Sequence, residues 1–228
     1  MPDIVFVDEF STNLWTHVLR GRSKKGTPVN TKVPSQRGVS VSCVAAVSYT
    51  YGAFFAETCG ALTVNADRFN DCFEHLVLRW NELASQDTNP RRPRRAFFIL
   101  DNCSVHKDDD LTSILLRNSP SQDCLHNIRF LPPWSPFLNP VEDVIGLAKH
   151  IIRDVKASRA LEFDAIDNGP NGTKGMQRVA LLSQVMTSAW SKISLVNVSR
   201  FYLHCYNFFP RCIMELDIEG EGKETRFR

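Results

Sequence analysis

Two apolar runs of strand length, residues 4–7 and 96–100, each stop at an aspartate, Asp8 and Asp101. Runs this short and rich in β-branched and aromatic residues read as strands buried in a sheet. Neighbouring strands set their ends side by side, so the two acids can meet at one sheet edge. A third acid, Glu142, follows Asn139-Pro140, an Asn cap and a first-position proline that announce a helix start. Taken singly, each acid reads first as a cap or a solvated turn residue, and only the surrounding pattern argues otherwise.

That pattern is a strand-then-helix chain. Residues 39–50 and 54–63 are β-prone and separated by a turn at Tyr51-Gly52, which predicts an antiparallel hairpin. From Asn65, apolar residues Phe69, Phe73, Leu76, Val77, Trp80 and Leu83 recur at spacings of three and four, an amphipathic helix with Asn65 or Asp67 as its cap. Residues 108–117 read as a short helix, 128–131 as a further strand, and 139 to about 160 as a longer helix. Val179, Leu182, Val185, Met186, Ala189 and Trp190 form one helical face in the C-terminal part, and the tail from Glu219 is charged. The order predicts an α/β fold, a mixed sheet of five strands with helices packed on it. The expected organisation is a core over residues 1–160, a linker over 161–175 and a helical extension over 176–228 that packs on the core.

Composition narrows the classes. The chain has 228 residues, 43% hydrophobic and 23% charged, which fits a globular protein and excludes wholesale disorder. The net charge of 27 minus 25, or +2, gives no whole-chain basic footprint, so any nucleic-acid contact must be local. No run approaches the roughly 20 apolar residues of a membrane span, and no signal peptide is recognisable. Seven cysteines, odd in number and without a CxxC pair, read as reduced small hydrophobes and place the protein inside the cell. Asn-x-Ser/Thr triplets at Asn102, Asn171 and Asn197 are taken as chance.

If Asp8, Asp101 and Glu142 converge, their mutual repulsion raises at least one pKa. A hard divalent cation relieves it, because Mg²⁺ takes oxygen ligands and needs only a few carboxylates. Two such ions about 4 Å apart activate a nucleophile and stabilise a leaving oxygen on phosphorus.

Three blocks carry a resemblance. Residues 4–10, Ile-Val-Phe-Val-Asp-Glu-Phe, resemble the first catalytic strand of the DDE transposases. Residues 97–107, an apolar strand followed by Asp101-Asn102-Cys103-Ser104-Val105-His106, resemble their second block. Residues 131–142, with Leu131-Pro132-Pro133 and then Ser135-Pro136-Phe137-Leu138-Asn139-Pro140-Val141-Glu142, resemble the third most closely. Lys149 falls where this group, the Tc/mariner superfamily, often has a lysine, and residues 21–26 resemble its Gly-x-Ser-x-x-Gly turn. Forty residues separate Asp101 from Glu142 (positions 102 to 141), somewhat more than is common there.

The resemblance implies an RNase H-like fold and Asp8, Asp101 and Glu142 as a metal-binding, catalytic triad. It implies two Mg²⁺ or Mn²⁺ ions and phosphoryl transfer on DNA: hydrolysis of a phosphodiester, then attack of the freed 3′-OH on target DNA. Transposon ends and target DNA are the implied partners, with a homodimer possible and no membrane; in a eukaryote the site would be the nucleus. Such proteins carry helix-turn-helix domains ahead of the catalytic domain, and seven residues before Asp8 leave no room for them, so a separately made catalytic domain, a gene fragment or a domesticated remnant is expected. The alternatives are a non-catalytic DNA- or chromatin-binding derivative and another RNase H-like nuclease.

Around the triad, Asn102 is expected to support the site by hydrogen bonding. For His106, site support or DNA contact and a plain structural role both stay open. Arg20, Arg22, Lys24, Lys25 and Lys149 are candidate DNA contacts, and for Arg91, Arg92, Arg94 and Arg95 phosphate contact and a solvated loop stay equally open. Glu9 is expected on the face opposite Asp8. Asp143 is a weaker ligand candidate, and Asp108, Asp109 and Asp110 read as a helix N-terminus. Trp134 is expected to pack its loop, with base stacking the alternative.

Overall fold

The computed structural model describes residues 2–13, 23–28, 40–61, 63–107, 110–121, 125–166 and 173–214. Five strands form one sheet in the order β3-β2-β1-β4-β5: β1 Asp3–Asn13, β2 Ser40–Ser48, β3 Gly52–Thr58, β4 Ala96–Leu100 and β5 Asn127–Phe130. β1 pairs antiparallel with β2 and parallel with β4, β2 with β3 antiparallel, and β4 with β5 parallel. The hairpin turns at Gly52, whose φ of 71° is readily open only to glycine.

Among the described residues seven α-helices accompany the sheet: α1 Ala66–Gln86, α2 Asp110–Asn118, α3 Pro140–Ser158, α4 Ala160–Ala165, α5 Lys174–Trp190, α6 Leu195–Tyr206 and α7 Phe209–Ile213. α1 begins where the sequence places it, with the Asn65 side chain accepting from the Arg68 N–H. α4 occupies part of the stretch expected as linker, its first turn carrying an Arg159–Glu162 ion pair and its Phe163 buried. Asp108 and Asp109 lie outside the described residues.

Strand alternation sorts the core into two layers. Phe6, Phe10, Cys43, Ala45 and Val47 share one buried cluster with Val141, Val144 and Ala148 of α3, Leu182, Val185 and Trp190 of α5, and Val198 and Phe201 of α6. Val5, Val7, Val44, Ala46, Phe98 and Leu100 face the other way, onto α1 and α2. The Tyr202 hydroxyl, a bond donor to the Ile4 and Val47 carbonyls, fixes α6 to the first layer. The six described cysteines are free thiols. Among the described residues no single helix is long and apolar enough to cross a membrane.

One buried polar anchor starts β1. Asp3, only 3% exposed, accepts from Trp80 Nε1 at 3.0 Å and from Thr50 Oγ1 at 2.9 Å. Burial raises its pKa, and those bonds oppose the rise. Trp80→Phe keeps most of the buried ring but removes the indole donor, leaving Asp3 short of a partner. A loss of about 1–3 kcal/mol is expected, read as a drop of several degrees in thermal midpoint. An unchanged midpoint would show that the bond contributes nothing.

Candidate active site

The parallel pairing of β1 with β4 ends at Phe6 and Ile99. Asp8 and Asp101 each lie two residues further, so the register that pairs the strands also sets these acids level. Asp8 alternates with Phe6 and Phe10, and Asp101 with Ile99, so both belong to the α3 side of the sheet. α3 brings Glu142 there in its first turn. β1 does not end at Asp8, as the sequence suggested. Its antiparallel pairing with β2 runs on through Asp8↔Ala45 and Phe10↔Cys43 to Asn13↔Ser40. Asp8 marks the point where the parallel neighbour stops.

Asp8 is buried, 8% exposed. Its Oδ1 accepts from the Glu9 N–H at 2.7 Å and its Oδ2 from Asn139 Nδ2 at 3.3 Å. Burial, then the negative charges of Glu142, Glu9 and Asp101, push its carboxyl up to about 8, with the Glu9 N–H pulling the other way. Asp8 therefore sits in the field of the acids around it. Among the described residues, no group of three or more His, Cys, Asp or Glu side chains stands as a ready-made metal cage. Glu142 is exposed and Asp101 about half exposed, so this pair faces solvent while Asp8 backs onto the core. Asp143, next along α3, has its carboxyl raised by burial against the opposing pull of His204.

His106 connects the faces of the sheet. It sits on a single 3-10 turn, Ser104–His106, with its side chain fully buried and its ring 4.4 Å from Phe69 between centroids. Nε2 lies 2.6 Å from Glu9 Oε1 and Nδ1 lies 2.7 Å from Asp101 Oδ1. A ring nitrogen facing each of two carboxyls favours the imidazolium form, in which both nitrogens donate. Burial disfavours that charge, but the bond and charge of Glu9 and then the charge of Asp101 outweigh it, and the pKa is raised. Asp101 Oδ1 also accepts the Cys103 N–H at 2.9 Å, which closes the turn around this acid.

Glu9 does face away from Asp8, as alternation predicts. Its link through His106 back to Asp101 is not readable from sequence, because it depends on strand register and on a turn. Asn139 was also missed. The Asn-Pro pair correctly announces α3, yet the Asn139 side chain makes no capping bond and goes to Asp8 instead. Its Oδ1 is buried without a hydrogen-bond partner. Asn102 Nδ2 donates to the Leu131 carbonyl, so its support goes to the loop before α3.

The basic candidates divide. Arg20 and Arg22 lie outside the described residues. Lys24 and Lys25 are exposed in a turn closed by the Thr27 N–H on the Lys24 carbonyl at 2.9 Å. Lys149 lies on α3, seven residues after Glu142, and lines a cavity of about 380 Å³ with Glu9, Phe10, Ser11 and Cys103. Trp134 contradicts the expectation that it packs its loop: it is 95% exposed, with a φ of 60°. Pro132 and Pro133 restrict the chain before it and Ser135 Oγ bonds back to the Pro132 carbonyl, so the tip turns outward.

A central strand and its parallel neighbour presenting two aspartates, with a helix-borne glutamate against them, define an RNase H-like sheet with an acidic site at one edge. The sequence model of the DDE superfamily endonucleases matches residues 3–164, and the chain belongs to that family. Its fold is similar to that of the Mos1 transposase strand transfer complex (TM-score 0.55, 17% identity, 93% of this chain and 54% of that one). It is similar also to the Mos1 transposase catalytic domain with Raltegravir and Mg (0.52, 14%, 93% and 82%) and to the Mos1 paired-end complex with the left transposon end (0.51, 16%, 82% and 54%). The chain thus spans about half the length of the first and third of these transposase chains, 54% of each. No curated protein matches the sequence.

Proposed function

We propose that this chain is a transposase catalytic domain that cuts and joins DNA with divalent metal held by Asp8, Asp101 and Glu142. The observation that carries the reading is the Asp8 carboxyl, buried and pushed up to about 8 by burial and by the acids around it. A fold gains nothing in stability by setting a buried acid against three others, so the arrangement suits a cation. The donor set fits Mg²⁺ or Mn²⁺, which take carboxylate oxygen. The unpartnered Asn139 Oδ1 beside Asp8 is an acceptor suited to a hydrated ion.

When bound, the metal would lower the pKa of a water and neutralise charge on the phosphate oxygens. The chain's own residues do the positioning. The Glu9 N–H and Asn139 hold Asp8, His106 and the Cys103 N–H hold Asp101, and the first turn of α3 favours the negative charge of Glu142. Lys149 is placed to meet a phosphate along the same helix. Of the DNA partners proposed, a transposon end and a target, the transposon end is named in one of the similar Mos1 complexes.

Nicking of supercoiled plasmid tests the reading. Cleavage that requires Mg²⁺ or Mn²⁺, stops with EDTA and is missing from an Asp101→Asn preparation supports it. Absence of both nicking and calorimetric Mn²⁺ binding in the wild type would overturn it.

A further inference from the structure

We infer that Trp134 is a stacking platform for an unpaired nucleobase beside the acidic site; this rests on the proposed action on DNA. Three observations carry the inference. The indole is 95% exposed, whereas the other described tryptophans, Trp80 and Trp190, are 0% and 4% exposed. An indole left in water forgoes the stabilisation that burial would bring, and folding alone gives no reason to keep it there.

The backbone at Trp134 is left-handed, with φ 60°, a conformation uncommon for a bulky residue and costing on the order of 1 kcal/mol or more. The loop around it is nevertheless well determined. The Leu131 N–H bonds to the Leu100 carbonyl at 2.8 Å and Asn102 Nδ2 to the Leu131 carbonyl. The Leu138 N–H bonds to the Ser135 carbonyl at 3.1 Å, and Asn139 reaches Asp8. One root of the loop is thus tied to the residues flanking Asp101 and the other to Asp8. The backbone that carries the exposed ring is anchored at both ends next to the carboxylates.

An aromatic face of this kind takes a flat π-system. Within a duplex the base faces are already stacked on each other, so the indole can take only a base at a single-stranded end or one turned out of the helix. Stacking on an aromatic side chain is tolerant of base identity. The ligand class is therefore an unpaired base of any sequence, next to the phosphodiester addressed by the acids.

The test uses the whole chain without catalytic metal, with a labelled single-stranded oligonucleotide and a blunt duplex of the same sequence. Anisotropy gives affinity and intrinsic fluorescence reports the indole. Single strand should quench wild-type fluorescence more than Trp134→Phe fluorescence. Trp134→Ala should bind single strand about 5- to 100-fold more weakly while Trp134→Phe stays within about threefold. Duplex affinity should not change in either variant. Circular dichroism melts should coincide, the side chain being exposed. Unchanged single-strand binding by Trp134→Ala, or an equal loss for duplex, overturns the inference and leaves the DNA reading standing. A Trp134→Ala change seen only in sedimentation would assign the ring to contact with a second copy and also overturn it. Failure of wild type to bind either oligonucleotide would remove the DNA reading itself, and the inference with it.

Discussion

Asp8→Asn is expected to abolish metal-dependent cleavage and, in the same molecule, to make the chain harder to unfold. The first effect follows from the proposed metal role, because several kcal/mol of transition-state stabilisation depend on a correctly held cation, a loss on the order of 10³-fold or more. The second follows from the carboxyl's environment. Its pKa is 3.8 unperturbed and about 8 in the fold, with burial the largest cause and the charges of Glu142, Glu9 and Asp101 behind it. Between those values the folded chain holds a proton that the unfolded chain releases. The contribution of Asp8 to stability is therefore most favourable below pH 4, falls as pH rises through the window, and carries the full penalty above pH 8.

The substituted amide has no proton to lose, so the variant's advantage grows across that window. Turning over the Asn139 amide lets the new side chain donate to the Asn139 Oδ1, and it moves Asn139 Nδ2 to the buried position where Oδ1 has no partner, a cost that offsets part of the gain. Four units correspond to roughly 5 kcal/mol as an upper bound. Relaxation and water penetration bring the expected gain to about 1–3 kcal/mol at alkaline pH. Melts of both proteins in EDTA at pH 5, 7 and 9 check this: the midpoints should separate progressively. Parallel midpoints at all three pH values would show that Asp8 is not held against its neighbours' charge.

How much of this site a sequence can show depends on which forces are local. Asp8 and Asp101 are legible because each follows an apolar run, and the helix carrying Glu142 because Asn139-Pro140 is a local start signal. The length of β1 is not legible. The residues after Asp8 stay extended through pairing with β2, a long-range contact that the polar Ser11-Thr12-Asn13 segment does not advertise. The role of Asn139 is not legible because a cap residue is ordinarily satisfied by its own helix, and here a buried carboxylate from β1 takes the side chain. The exposure of Trp134 is not legible because hydrophobicity argues for burial, while the two prolines and the Ser135 bond impose a turn that sends the ring to solvent. Residues 161–165 read as linker in the sequence because the breaker residues that follow them dominate the pattern, whereas Phe163 docks on the core and holds α4 in place.

His106→Leu should lower the affinity for Mn²⁺ by about 10- to 100-fold, the range found when a residue that orients a metal ligand is removed. Leucine fills the space against Phe69 but donates to neither Glu9 nor Asp101, so Asp101 loses the contact that fixes its Oδ1. Destabilisation of about 2–4 kcal/mol is expected as well, because two carboxylates lose a shared cationic partner. The pH dependence has a definite sign. The pKa of His106 is raised in the fold against burial, through Glu9 first and Asp101 second. The bridge's contribution is therefore complete below the unperturbed 6.5 and fades as pH climbs through the raised value. The gap between wild-type and His106→Leu midpoints should be widest near pH 6 and narrower at pH 9. Glu9→Gln separates orientation from general damage. If Glu9 acts on Asp101 only through the imidazole, Glu9→Gln should weaken Mn²⁺ binding in the wild type and have almost no effect in the His106→Leu background. Additive losses in the double variant would mean that Glu9 reaches the metal site directly, and the chain of contacts from Glu9 through His106 to Asp101 would then have no role in placing it.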